Sequence, residues 1–166
     1  MKLIEKVSDI LDHFVRYINI ILIIVMTFTI LLQVFYRYVL NNSLTWTEEI
    51  ARFIMVWMVF LGFSMVSKRK VNISLEFFLK KISSKVRKPL EILLQVYIIY
   101  FLLILFKLGI VLVESAYRQV APASQISMKW VYLALPAGIV ILVFQHIVLL
   151  IKDLNFLINK ITINNN

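Results

Sequence analysis

Cysteine is absent from the chain, which excludes disulfide frameworks, thiolate zinc sites, iron–sulfur clusters and a cysteine nucleophile together. Charge is scarce: 16% of the 166 residues are Asp, Glu, Lys or Arg, against about 25% in an ordinary soluble domain. Histidine occurs only twice, at His13 and His146. No catalytic triad, phosphate-binding loop or metal-ligand spacing can be traced, so neither an enzyme nor a resident cofactor is expected.

What fills the chain is apolar. Hydrophobic residues make up 61% of it, against about 45–50% in soluble domains. A compact domain of this size buries only about 68–70% of its unfolded surface, so a soluble fold of this composition would present broad apolar patches to water. Disorder is excluded by the 12 Phe, 7 Tyr and 3 Trp, since disordered chains are poor in such residues. The remaining class is an all-α integral membrane protein. The net charge of +9 then points to no nucleic acid, because in such a chain the cations mark membrane boundaries.

Tyr17 to Tyr36 is a run of 20 uncharged residues, which at about 1.5 Å per residue matches the roughly 30 Å hydrocarbon core. It is too long for a signal peptide and lacks the small-residue cleavage site. Further apolar stretches give four spans at about 17–38, 50–67, 89–113 and 130–151, in one membrane domain over 1–166. Eight cations, Lys68, Arg69, Lys70, Lys80, Lys81, Lys85, Arg87 and Lys88, lie between the second and third spans. Lys2, Lys6 and Arg16 precede the first span and Lys152 and Lys160 follow the fourth. By the positive-inside rule both termini and the central loop are cytoplasmic. Leu3, Val7, Ile10, Leu11 and Phe14 share one helix stripe, as do Leu75, Phe78, Leu79, Ile82 and Val86. Segments 3–16 and 73–88 are therefore expected as amphipathic helices at the inner membrane surface.

The middle of the first span, Ile23 to Thr29, has no carboxylate. A chain that transported by itself, such as a proton-coupled exporter, would carry polar groups or broken helices there. Pro136 and Gly138 are the places where the fourth helix could break. At the outer side, Thr45 and Glu48 have the spacing of a capping box, and Glu48 and Glu49 both lie within one turn of Arg52. Arg37, Trp46, Glu48, Glu49 and Arg52 are expected to form a structural clamp or subunit interface. The alternative is a substrate or ion gate. For the whole chain, the alternative function is a four-helix electron-transfer subunit that binds one b-type haem through His13 and His146.

Gln33-Val34-Phe35-Tyr36-Arg37-Tyr38, Leu44-Thr45-Trp46-Thr47-Glu48-Glu49-Ile50-Ala51-Arg52, Trp57, Leu61-Gly62 and Ser127-Met128-Lys129-Trp130-Val131-Tyr132 resemble the small membrane subunit of tripartite ATP-independent periplasmic (TRAP) transporters. The resemblance reaches Pro136-Ala137-Gly138, and so covers nearly the whole chain. Asn72 departs from it, where many relatives carry a histidine. It implies a sodium-driven uptake system for an organic acid, of the C4-dicarboxylate or sialic acid type, in the bacterial inner membrane. Its partners would be a large multi-spanning subunit that holds the transport sites and a periplasmic binding protein. The chain itself would act as a scaffold. Tyr36, Tyr38, Trp46, Trp130 and Tyr132 would anchor it at the outer boundary, and the basic central loop would meet lipid headgroups at the inner one.

Overall fold

The computed structural model describes residues 2–68 and 84–164, with the side chains of 3–66, 89–155 and 157. The helices are α1 (Lys2–Tyr38), α2 (Thr45–Lys68), α3 (Ser84–Ser115), the single turn α4 (Lys129–Tyr132) and α5 (Ala134–Asn164). Four stretches are long and apolar enough to cross a membrane: Leu3–Tyr38, Thr45–Val66, Pro89–Ser115 and Lys129–Asn155. The all-α expectation holds, for among the described residues the only extended pairing is an isolated bridge between Val120 and Ser127. Segment 69–83, which includes Arg69, Lys70, Lys80, Lys81 and most of the expected amphipathic stretch 73–88, lies outside the described residues.

No glycine or proline interrupts α1 over its 37 residues, so nothing in the sequence breaks the backbone ladder between Arg16 and Tyr17. Residues 3–16, expected as a separate helix along the membrane surface, are instead the first turns of the same helix. Ser8, Asp12, Val15 and Asn19 are buried against the chain's own bundle, whereas Leu3, Val7, Ile10 and Phe14 are exposed. The helix stops where Asn41 takes a left-handed backbone (φ 49°), which asparagine tolerates, and the Asn42 N–H returns to the Tyr36 carbonyl at 3.0 Å.

The fourth span is interrupted only at Leu133, between α4 and α5, where the backbone stays helical (φ −63°, ψ −20°) and the Leu133 N–H still reaches the Lys129 carbonyl at 3.0 Å. Pro136 accounts for it, because a proline lacks the N–H that would bond the carbonyl four residues back and its ring clashes there. That residue is Tyr132, the last of α4. Gly138 has a packing role: a Cβ added to it would lie 2.8 Å from both the Cβ and the carbonyl oxygen of Phe60. The two helices meet too closely at this point for a side chain.

α5 is the central helix. In its most apolar window 39% of residues are buried, against 11% in each of the other three spans. α2 and α3 pack on α5, and α1 packs on α2. The chain runs up and down, so that the 39–44 and 116–128 loops lie at one end, here the loop end, and both termini at the other, the terminal end.

Candidate functional site

The loop end is organised by Glu49. Its carboxylate accepts hydrogen bonds from the Ala123 N–H (3.1 Å), the Ser124 N–H (2.8 Å) and the Ser124 hydroxyl (2.7 Å). Three converging donors fix this carboxylate, the Ser124 hydroxyl through the shortest bond. These bonds tie the first turn of α2 to a loop 75 residues away in sequence. That loop is closed on itself by Ala121 N–H to Ile126 O (2.9 Å) and Met128 N–H to Gln119 O (2.9 Å), with Gln125 in a left-handed conformation (φ 55°). Beside it, the Trp57 indole donates to the Trp130 carbonyl (3.2 Å), and the Lys129 ammonium lies 4.7 Å from the Tyr117 ring and 5.3 Å from that of Trp130. These contacts join α2, the loop and α4 into one surface.

The other expected site residues are arranged more loosely. Glu48 and Arg52 form an ion pair within α2 at 2.8 Å, with both side chains 64% exposed. Such a pair contributes little to folding. Arg37 lies over the ring of its neighbour Tyr38, 5.8 Å from the centroid. Among the described residues, no ion pair joins Arg37 to either acid. Trp46 is exposed at the start of α2. The expected capping box is not formed among the described residues, since α2 begins at Thr45 itself, and the Thr47 hydroxyl instead donates to the Leu44 carbonyl of the preceding turn (2.6 Å).

The terminal end carries a second polar layer that the sequence pattern did not reveal. Lys152 pairs with Glu5 (3.3 Å), which joins α5 to α1. The adjacent Asp153, buried, accepts from the Gln95 amide (2.8 Å), which joins α5 to α3. Asp12 is buried and holds Arg16 at 3.0 Å. The Asn19 amide donates to Val15 O (3.2 Å) and to Met65 Sδ of α2 (3.8 Å). Gln145, 1% exposed, has neither amide atom hydrogen-bonded among the described residues. Lys68 closes α2, and Lys85, Arg87 and Lys88 fall in the opening turns of α3, which places these four cations of the expected basic cluster at this end.

The two histidines do not form a matched pair. His13 is exposed and its Nδ1 donates to the carbonyl of Asp9 in its own helix (2.8 Å), whereas His146 is buried on α5. This geometry gives the haem alternative no support. Among the described residues, no three of His, Asp and Glu gather where a metal ion could sit.

The architecture is thus that of a small multi-pass membrane protein whose polar contacts lie at its two ends. Residues 26–156 match the family described as tripartite ATP-independent periplasmic transporters, DctQ component, and the chain belongs to that family. It is 24% identical over 148 residues to a Haemophilus influenzae protein described as a TRAP transporter small permease, covering 89% of this chain and 90% of that one. It is 28% identical over 116 residues to the sialic acid TRAP transporter small permease protein SiaQ of Vibrio cholerae (69% of this chain, 66% of that one). It is also 25% identical over 115 residues to the sialic acid TRAP transporter permease protein SiaT of Haemophilus influenzae, covering 69% of this chain but 19% of that much longer protein. The chain is therefore a TRAP small permease subunit.

Proposed function

We propose that this subunit scaffolds a large membrane subunit in a sodium-coupled uptake system for an organic acid, sialic acid or a C4-dicarboxylate, fed by a periplasmic binding protein. The observation that carries the reading is the match to a stretch making up 19% of SiaT. In that relative a segment similar to 69% of this chain belongs to one polypeptide with a far longer remainder. A partner of that size is accordingly what this bundle is built to meet. The burial pattern agrees, because α1, α2 and α3 bury only 11% of their most apolar windows within the chain and offer the rest to lipid or protein. The charge distribution supports cytoplasmic termini in the inner membrane. In that orientation Glu49 holds a periplasmic loop in place, while the exposed Glu48–Arg52 pair, Arg37 and Trp46 form an interfacial clamp toward the other subunits. The basic cluster faces anionic lipid headgroups.

The test is uptake into proteoliposomes carrying the large subunit with and without this chain. Uptake of sialic acid or a C4-dicarboxylate is expected only with both subunits, an inward sodium gradient and the binding protein. Uptake by this chain alone, or undiminished uptake in its absence, would overturn the scaffold role.

A further inference from the structure

α1 carries two opposed stripes. The inward one passes through Ser8, Asp12, Val15 and Asn19 and continues toward Thr29. The outward one begins Leu3, Val7, Ile10, Phe14 and keeps the same alternation of four and three residues to Phe35 and Tyr38. Every position of the outward stripe is a large apolar or aromatic residue, between 48% exposed at Val7 and 75% at Leu3. A sustained repeat of about 3.5 residues is the period at which two helices stay in register along a left-handed pair. Lipid imposes no such period.

Length decides what covers this stripe. A helix of 37 residues is about 55 Å long, and even at a tilt of about 40° it rises about 42 Å along the membrane normal, against a hydrocarbon thickness of roughly 30 Å. With Tyr38 at one boundary, the turns around Leu3, Val7 and Ile10 extend past the other. There the helix turns its polar side, Ser8 and Asp12, into its own bundle and its apolar side outward. An apolar stripe that leaves the hydrocarbon needs cover from protein. The flanks indicate which protein. Lys6 and His13, both exposed, border the stripe on one side in this region. In a parallel pair of identical helices the position facing Lys6 is residue 11 of the other copy, and that residue is Leu11. A second copy therefore offers Lys6 no counter-charge.

Resting on the subunit reading above, we infer that the outward stripe of α1 is the seat of one long helix of the large membrane subunit, apolar along its seam and acidic opposite Lys6. The two helices pack as a left-handed pair that continues past the hydrocarbon at the terminal end.

Because the chain has no cysteine, single cysteines can be placed at Val7, Phe14 and Ile24 on the stripe and at Asp9, Ile23 and Ile30 on another exposed face. Each is labelled with a short diazirine maleimide in membranes that also contain the large subunit, and then photolysed. Adducts with the large subunit are expected at the stripe positions and lost at the other three. Adducts only at Asp9, Ile23 and Ile30 would place the partner on a different face. Adducts between two copies of this chain would make the occupant a second copy, and a complex that forms with no protein adduct at the stripe would leave that surface to lipid. Each of these overturns the inference but leaves the subunit reading intact. Failure of the large subunit to co-purify with the unmodified chain would instead overturn the subunit reading, and this inference with it.

Discussion

Gly138 of α5 and Phe60 of α2 stand so close that a Cβ at position 138 would lie 2.8 Å from the Phe60 carbonyl oxygen. In lipid, where helices gain nothing by hiding from water, such close backbone approach at small residues is a main source of helix association. Gly138→Ala is accordingly expected to push α2 from α5 and to cost about 1–3 kcal/mol, as overpacking of a filled site does. Gly62 is the control, because a Cβ there meets nothing within 4 Å. Gly62→Ala should be neutral or stabilising, by up to about 1 kcal/mol, since alanine is the better helix former. Unfolding in mixed detergent micelles titrated with SDS measures both.

The Gln95–Asp153 contact joins α3 to the central helix through a buried carboxyl. Gln95→Leu removes one donor from that carboxyl and should cost about 1–2 kcal/mol in the same assay. Adding Asp153→Leu should restore part of the loss, because a buried polar group that has lost a donor is costlier than an apolar pair in its place. A double variant weaker than either single variant would contradict this.

Glu49 and Glu48 are neighbours with separate tasks. Glu49→Ala should free the Ala123 and Ser124 amides, seen as faster hydrogen exchange and easier proteolysis of the 120–127 loop. Glu48→Ala and Arg52→Ala should leave that loop protected, since their ion pair lies within α2. Equal loosening by all three would show that the pair and the loop anchor act as one unit.

Topology is tested with a reporter active only in the cytoplasm. Fusions after Lys81 or Asn166 should be active, and a fusion at Asn42 should be silent. The reverse pattern would invert the assignment of the loop end to the periplasm.

Much of this protein could be read from composition and runs of residues. A span must supply about 20 apolar residues whatever it later packs against, so the four helices were evident from hydropathy, and Pro136 already marked the region of the slight interruption at Leu133. The family was carried by short local runs such as Trp46 to Arg52, which need no fold to be recognised. The partners of those residues were not legible. Nothing in the spacing of Glu49 announces Ser124, 75 positions on, and nothing near Asp153 in the sequence announces Gln95, which α3 brings against it from 58 positions away.

The sequence alone also determined that residues 3–16 are helical with one apolar stripe, because a period near 3.6 residues is a property of the chain itself. Which way that stripe faces was decided only by the tertiary structure. In water the apolar side would have turned inward without ambiguity. Next to a bilayer that rule loses its force, and the packing of α1 on α2 and the bonds of Asn19 to Met65 and of Glu5 to Lys152 selected the polar side for the interior. The apolar side was thereby left facing out.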